Sequence, residues 1–290
     1  MSASPLKIPG WRTLTRAYPD RPVIEAILGI CQFEARIGYE GQRHSSRIFQ
    51  NLTSALECLE IVTIRIKAEL EKGQLVCYPD ESVLPDDFTT LPLGLIDKSD
   101  RSKRLVHHLS YPPDETTSIN NGIPDDYRTI SYSTISEATA AIQIFGSSCL
   151  LVKRDFENAF RHIPISPIDV PLLGFEWKRK YYAERFLPFG LRTTPYLFYL
   201  IAEVFHWIPA VVFRQNAMPA AIIHHLDNFL FILPCQGNCE SYSRIFSELS
   251  TRVGLSSKKS KSEQGTVASF GGVEFDIEHM VIHLPIGKLN

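Results

Sequence analysis

Residues Ala221 to Leu233 read A-I-I-H-H-L-D-N-F-L-F-I-L, an apolar run interrupted by one acid and one amide. The two flanking halves, Ala220–Ile223 and Phe229–Leu233, are strand-like, so the stretch predicts a β-hairpin with Leu226-Asp227-Asn228 as its turn. Polar residues are common at turn tips, and a purely structural role would therefore explain Asp227. A carboxylate at the end of a buried strand pair is nevertheless costly unless a positive charge meets it.

A second acid has similar surroundings upstream. The segment C-L-L-V-K-R-D-F, residues 149–156, predicts a strand that ends on Asp155. If the two strands are neighbours, the carboxylates of Asp155 and Asp227 repel each other unless a cation lies between them. Magnesium binds carboxylate oxygens together with substrate phosphates, and pairs of such ions serve phosphoryl transfer. The two acids therefore predict nucleotidyl or phosphoryl transfer or phosphodiester hydrolysis, with ordinary turn acids as the alternative.

Composition narrows the possible partners and compartments. The 290 residues have a formal net charge of −2, so nucleic-acid binding would depend on local basic clusters, which lie at 98–108 and 258–261. The six cysteines lack zinc-site spacing and are expected to be free thiols. The N-terminus has no signal-peptide pattern. No uninterrupted apolar stretch approaches the ~20 residues of a membrane span, and we expect an intracellular protein without a membrane segment.

Local patterns predict the remaining elements. A capping box of Ser54 and Glu57 is expected to open the first helix. Helices are predicted at 53–72, from Thr134 to Gly146, from Thr193 or Thr194 to about Trp207, and from Asn238 to Gly254. Hairpins are predicted from Pro171–Trp177 with Tyr181–Leu187, around Asp227, and from Val267–Phe275 with Met280–Leu284. Hairpins interleaved with helices indicate an α+β fold with a mixed or antiparallel sheet and helices on one face.

Seven segments in a fixed order resemble the reverse-transcriptase domain of DIRS/Ngaro-type (tyrosine-recombinase) retrotransposons. They are P-L-G-L-I-D-K-S-D-R-S-K-R-L-V-H-H-L-S-Y-P (92–112), S-I-N-N-G-I-P (118–124), D-F-E-N-A-F-R-H-I-P-I (155–165), L-L-G-F-E-W (172–177), F-L-P-F-G-L-R-T-T-P-Y-L-F (186–198), H-L-D-N-F-L (225–230) and F-G-G-V-E-F-D (270–276). The resemblance implies an RNA-directed DNA polymerase that uses Mg²⁺ or Mn²⁺, a primed RNA or DNA template and dNTPs, in the nucleus or cytoplasm.

The resemblance also implies a right-hand polymerase fold with fingers and palm, an antiparallel palm sheet with helices on one face, and an absent or minimal thumb. The implied divisions are a leader and the start of the fingers at 1–90, fingers at 91–150, a palm at 151–265 and a primer-grip-like hairpin at 266–290. The hairpin at 172–187 would lie in the palm or at its junction with the fingers. The oligomeric state is left open.

Site residues follow from the same resemblance, position by position. Asp155, Asp227 and Asn228 take the catalytic positions, and metal binding falls to Asp155, Asp227 and the Phe156 carbonyl. The resemblance assigns nucleotide binding to Lys98, Arg104, Phe160, Gly190 and Lys259, with Lys258 as an alternative to Lys259. A phenyl ring at Phe160 would clash with a ribose 2′-hydroxyl and favour deoxynucleotides. Phe270, Gly271 and Gly272 take the primer-positioning hairpin, and His224 and His225 are read as packing or primer-side contacts.

This chain departs from the family at the turn, where L-D-D is replaced by Leu226-Asp227-Asn228. The lost carboxylate charge is worth on the order of 4 kcal/mol at ~4 Å in a surface-like dielectric, so we expect impaired catalysis. Asn121 stands where an acid is usual, and Arg154 where an apolar residue should pack. Three hypotheses result: a reverse transcriptase with residual or lost activity, a polymerase-shaped protein that only binds nucleic acid, and a product with neither binding nor stable folding.

Overall fold

The structure is a computed structural model that describes residues 4–43, 47–97, 103–113, 118–257 and 262–285. It has the predicted mixture of α and β elements. The helices are α1 (Ile8–Leu14), α2 (Arg21–Phe33), α3 (Thr53–Leu56), α4 (Leu59–Glu71), α5 (Ile135–Phe145), α6 (Thr194–Gln215) and α7 (Cys239–Val253). The strands are β1 (Arg47–Ile48), β2 (Leu75–Tyr78), β3 (Thr89–Thr90), β4 (Leu93–Asp97), β5 (Lys103–His107), β6 (Leu150–Asp155), β7 (Gly174–Trp177), β8 (Lys180–Glu184), β9 (Ala221–His225), β10 (Asn228–Leu233), β11 (Glu263–Gly265), β12 (Val267–Phe270), β13 (Val273–Asp276) and β14 (Val281–His283).

The chain forms two compact units, each built from separate stretches of sequence. The first comprises residues 1–4, 29–129 and 160–197, and the second comprises 5–28, 130–159 and 198–290. The predicted divisions into leader, fingers, palm and hairpin stay predictions.

The first unit contains a five-stranded sheet of order β1-β3-β7-β8-β2 and a separate hairpin of β4 and β5. The β1–β3 and β3–β7 pairs are parallel, whereas β7–β8 and β2–β8 are antiparallel. The predicted hairpin of this unit therefore forms, but a 3₁₀ turn at Val170–Leu173 delays its first strand to Gly174. Lys178 and Arg179, with φ of 52° and 61°, make the tight turn whose two central residues both need positive φ.

The predicted helix at 53–72 is divided into α3 and α4, and its predicted capping box is wrong. The Ser54 hydroxyl accepts the Leu95 backbone N–H at 3.0 Å instead of capping a helix. Leu52 is the N-cap of α3, without a side-chain hydrogen bond. A tertiary contact with β4 thus takes the hydroxyl that the local sequence pattern assigned to the helix.

The second unit is organised around an antiparallel sheet of order β11-β6-β10-β9. Its central strand β10 is buried on both faces. Leu230 and Ile232 belong to a core cluster that includes residues of α5, β12 and β13. Phe229 and Phe231 face the opposite way, and both pack against the Phe246 ring of α7. Burial on both faces explains why this strand is continuously apolar.

The helices of the second unit begin and end largely where capping predicts. Thr134 and Glu137 form the capping box of α5. Asn238 caps α7 by accepting the Ser241 N–H, and Gly254 ends that helix in the left-handed conformation. The prediction that α6 ends at about Trp207 is wrong, because the helix continues to Gln215 with Pro209 inside it. Burial of Phe213, which is 2% exposed, favours continuation past the proline.

Helix α6 is long and apolar enough to cross a membrane by length and composition alone, and half of its most apolar window is buried within the protein. Core helices of soluble proteins meet the same criterion, so this one helix is weak evidence for a membrane segment.

Candidate active site

The ends of β6 and β10 bring Asp155 and Asn228 directly opposite each other. The Phe156 N–H donates to the Asp227 carbonyl at 3.1 Å. That pattern makes Asp155 and Asn228 a non-hydrogen-bonded antiparallel pair, in which the Cα atoms lie about 4.5 Å apart and the side chains share one face. Asn228 begins β10, so the turn itself is Leu226-Asp227. The three residues therefore meet at one tip of the sheet.

The exposure of the two acids differs. Asp155 is 3% exposed, whereas Asp227 is half-buried at the turn. Immediately after Asp155, Phe156 is 1% exposed and stacks on Phe246 of α7, with ring centroids 5.4 Å apart. This aromatic packing anchors the end of β6, and the aligned strand ends fix the backbone of both acids.

The donor atoms at this tip suit a hard divalent cation, because they are the carboxylate oxygens of Asp155 and Asp227 and neighbouring backbone carbonyls. Among the described residues, no group of three or more His, Cys, Asp or Glu side chains is arranged to hold a metal ion. The two carboxylates could hold one divalent ion, and water or other oxygen ligands would complete its coordination. A second ion would lack the carboxylate that Asn228 replaces.

Arg154, paired with Phe229 across the sheet, occupies a core position and is 7% exposed. Its guanidinium donates to the hydroxyls of Ser262 at 2.9 Å and Ser247 at 2.7 Å, and it lies over the Phe246 ring. Among the described residues, its buried Nε has no hydrogen-bond partner. Burial lowers the pKa of Arg154, because the charged form loses its solvation. Position 154 is therefore a packing position, as the sequence indicates, but a buried cation occupies it instead of an apolar side chain.

In the first unit, the predicted nucleotide-binding residues Arg104 and Phe160 lie together with Phe189. The Phe160 and Phe189 rings pack with centroids 4.9 Å apart, and the Arg104 guanidinium lies 5.7 Å from the Phe189 centroid. Phe189 is 52% exposed although it is a large aromatic residue. The cluster offers a planar cation and an open aromatic face, which are groups that contact phosphates, sugars and bases.

Gly190 follows this cluster and has a φ of 91°, a conformation that favours glycine. A Cβ on Gly190 would lie 3.3 Å from the His107 carbonyl oxygen. The Asn120 side chain holds the loop, since its Nδ2 donates to the Gly190 carbonyl at 2.8 Å and its Oδ1 accepts the Arg192 N–H at 2.8 Å. Sequence analysis missed Asn120 because only its neighbour Asn121 stands out from the motif.

A buried ionic network lies behind the same loop. Arg161 donates to Glu184 at 2.6 Å and to the Phe186 carbonyl at 3.1 Å. The His107 Nδ1 lies 4.0 Å from the other Glu184 oxygen and is buried, with no hydrogen bond to any residue that the structure describes. Burial raises the pKa of Glu184 and lowers the pKa of His107 to about 4, because each charged form loses its solvation. The network joins β5, the segment after Phe160 and the loop before Phe189.

The predicted primer-positioning residues form a tight turn in the second unit. Phe270 is 3% exposed in the core, and Gly271 and Gly272 connect β12 to β13 with φ of 60° and 87°. The prediction of one strand over Val267–Phe275 is wrong, because these two glycines reverse the chain inside it. The result is a three-stranded sheet of β12, β13 and β14. The predicted nucleotide ligands Lys98 and Lys259 lie outside the described residues.

Comparisons with known proteins identify the fold. No family model and no curated protein sequence matches the chain. Among solved structures, native prototype foamy virus protease-reverse transcriptase matches with a TM-score of 0.52 and 19% identity, over 87% of this chain and 29% of that one. The foamy viral enzyme with an RNA/DNA hybrid matches with a TM-score of 0.59 and 15% identity, over 97% of this chain and 36% of that one. The enzyme with double-stranded DNA matches with a TM-score of 0.55 and 16% identity, over 97% and 56%.

The chain thus spans between 29% and 56% of the length of these structures. At such identities the similarity concerns the fold alone. The chain has a reverse-transcriptase-like fold.

Proposed function

We propose that this chain is the reverse-transcriptase domain of a DIRS/Ngaro-type retrotransposon, an RNA-directed DNA polymerase whose activity is reduced by Asn228. The observation that carries the proposal is the meeting of Asp155 with Asp227 and Asn228 at the tip of two adjacent strands, in a chain with a reverse-transcriptase-like fold. The proposed chemistry needs two acids that lie far apart in sequence to come close together, and the pairing of β6 with β10 supports this. The choice of family rests on the resemblance of the ordered sequence motifs.

In this proposal Asp155, Asp227 and the Phe156 carbonyl hold Mg²⁺ or Mn²⁺. When bound, the ion neutralises charge that develops on phosphate oxygens. The chain itself contributes mainly by orienting the reactants and by placing fixed charges, which are the usual terms in phosphoryl transfer. Asn228 retains the shape of an aspartate but supplies no charge opposite Asp155, and this is why the proposed activity is low.

The remaining residues bind the substrates of the proposed reaction. Arg104 and Lys98 hold the triphosphate, Lys259 contacts the leaving pyrophosphate, and Gly190 allows close approach of the backbone. Phe160, braced by Phe189, packs beneath the deoxyribose. The turn of Phe270, Gly271 and Gly272 positions a primer. The proposed partners are a primed RNA or DNA template and dNTPs, in the nucleus or cytoplasm.

A second candidate function is nucleic-acid binding without catalysis. Asn228 favours it, because a site with two carboxylates lacks a ligand that a second ion needs. Foamy viral enzymes of this fold were crystallised with an RNA/DNA hybrid and with double-stranded DNA. A binder would hold a primer–template with an affinity that falls as salt rises and would add no nucleotide.

Primer extension separates the two candidates. The wild-type chain, Asn228→Asp and the double variant Asn228→Asp/Asp155→Asn are incubated with a primed template, dNTPs and Mg²⁺ or Mn²⁺. The polymerase proposal expects Asn228→Asp to extend the primer at least about tenfold faster than wild type, which corresponds to about 1.4 kcal/mol. It also expects the double variant to be inert. A folded Asn228→Asp protein that binds the duplex but adds no nucleotide would leave binding as the function.

A further inference from the structure

The turn that carries Asp227 contains a residue in an unfavourable backbone conformation. Leu226 has a φ of 52°, in the left-handed region that favours glycine. A non-glycine residue stays in this region when its surroundings hold it there. The contacts around the Leu226 carbonyl therefore bear on where the Asp227 carboxylate lies.

One buried side chain reaches that carbonyl. The Nδ1 atom of His224, on β9, lies 3.4 Å from the Leu226 oxygen, and its Nε2 atom lies 2.9 Å from the Glu203 carboxylate on α6. The side chain of His224 is 2% exposed. Its ring stacks on Phe229, with centroids 5.0 Å apart and an interplanar angle of 13°. The ring is thus fixed in its plane between the helix and the turn.

Both ring nitrogens of His224 face oxygen acceptors. A neutral imidazole has one N–H, so it can donate to Glu203 or to Leu226 but not to both, whereas the imidazolium donates to both. The hydrogen bond from His224 holds the pKa of Glu203 below its usual value, which keeps that carboxylate anionic. The His224 ring therefore connects the anionic carboxylate of Glu203 to the Leu226 carbonyl of the turn.

The other titratable groups around this pair do not compete for the Leu226 carbonyl. His206 meets the His224 ring edge-on at 5.1 Å, and burial lowers the pKa of His206 to about 4, so it is neutral near neutral pH. Tyr199 lies over the His224 ring at 6.5 Å and hydrogen-bonds Glu203. Tyr18 faces Glu203, and burial raises its pKa. His225 points elsewhere and stacks on Tyr132 at 4.3 Å.

We propose that Glu203 and His224 are positioning residues for the proposed metal site: Glu203 holds the His224 ring, and His224 holds the Leu226 carbonyl, so that Asp227 is presented beside Asp155. The inference rests on the proposed function for the role of Asp227, but the brace itself is a property of the turn. The brace gives Glu203 and His224 a role in addition to packing.

Nuclear magnetic resonance tests the brace without any metal. The wild-type chain is compared with Glu203→Gln, His224→Phe and the matched control His206→Phe, which replaces a buried neighbour that does not reach the turn. The brace predicts that the ring-nitrogen signals of His224 change in Glu203→Gln, because the carboxylate that its Nε2 contacts is replaced by an amide. It also predicts shifted backbone signals for Leu226 and Asp227 in Glu203→Gln and His224→Phe, but not in His206→Phe. Unmoved backbone signals of Leu226 and Asp227 in both variants would overturn it.

Binding of Mn²⁺, followed by the loss of the free-ion electron paramagnetic resonance signal, tests the consequence. We expect Glu203→Gln and His224→Phe to weaken binding about tenfold to a hundredfold, as changes behind metal ligands do, and His206→Phe to leave it unchanged. Asp227→Asn is the reference. If Asp227→Asn abolishes binding while Glu203→Gln and His224→Phe do not weaken it, the positioning role is wrong. If Asp227→Asn also has no effect, the proposed metal site is wrong. The metal-free spectra then remain the test of whether Glu203 and His224 hold the turn.

Folding is monitored by thermal melting of each variant. Glu203 is the safer position, because its side chain is 40% exposed and glutamine keeps its shape. If His224→Phe does not fold, Glu203→Gln therefore still decides the outcome on both readouts.

Discussion

Replacing Asn228 by aspartate should increase the affinity for metal ions and lower the stability of the metal-free protein. The substitution changes one amide nitrogen to oxygen and places a second carboxylate opposite Asp155 in the non-hydrogen-bonded pair. Two like charges about 4 Å apart repel by about 4 kcal/mol at an effective dielectric of 20. Because residue 228 is partly exposed, screening reduces this repulsion to about 1–2 kcal/mol.

The sign of the effect reverses when a divalent ion binds. In a chelator, Asn228→Asp should lower the melting temperature by a few degrees, because a like charge has been added beside Asp155. With Mn²⁺ the added carboxylate becomes a ligand, and a gain of about 1.4 kcal/mol corresponds to about tenfold tighter binding. Calorimetric titration with Mn²⁺ and thermal melts with chelator or Mn²⁺ measure both effects.

The matched control is Asn216→Asp, which adds the same charge at an exposed position after α6. It should change neither the Mn²⁺ affinity nor the difference between the two melts. Equal Mn²⁺ affinities for wild type and Asn228→Asp, with unchanged stability in chelator, would refute the reasoning that a carboxylate at residue 228 lies close to Asp155 and adds a metal ligand.

Three further predictions concern stability. Arg154→Met should raise the unfolding free energy by about 1–2 kcal/mol in denaturant titrations, because a buried cation that contacts hydroxyls and an aromatic ring is replaced by an apolar chain. A lower stability would contradict this. His107 has a folded-state pKa of about 4, below its unfolded value of 6.5. The unfolded chain therefore binds the proton first as the pH falls. Up to about 3 kcal/mol of stability is lost between pH 6.5 and pH 4 for this reason. His107→Gln, followed by melts across this range, should lose that part of the acid sensitivity, and an unchanged pH profile would count against it. Thr134→Ala should cost about 1 kcal/mol by removing the capping box of α5, whereas Thr139→Ala, within the same helix, should cost less.

The features predicted well from sequence depend on local signals. The capping box of Thr134 and Glu137 forms because both partners lie within one turn of α5. The hairpin around Asp227 forms as predicted, because apolar halves flank a polar tip. The two halves are β9 and β10, which pair antiparallel. The acid at the end of β6 joins this tip because β6 pairs with β10, a pairing that the sequence left as a condition and that depends on tertiary structure.

The features that sequence analysis missed depend on partners distant in the chain. Ser54 serves the Leu95 amide, so the expected first helix divides. Glu184 contacts Arg161 and His107, and the three residues lie in separate segments of the chain. Their spacing in the sequence does not predict this network. Glu203 lies on a helix that looks uniformly apolar, and its contact with His224 appears only when α6 packs against β9. Propensity and periodicity do not describe such pairings.

The most direct test of the account is the position of a bound ion. Crystals soaked in Mn²⁺ and measured for anomalous scattering should show a peak within coordination distance of the Asp155 and Asp227 carboxylates, about 2.0–2.3 Å, and the peak should vanish in Asp155→Asn. A well-ordered turn with no peak there, or a peak that persists in Asp155→Asn, would contradict the claim that these two acids hold the ion of a polymerase site.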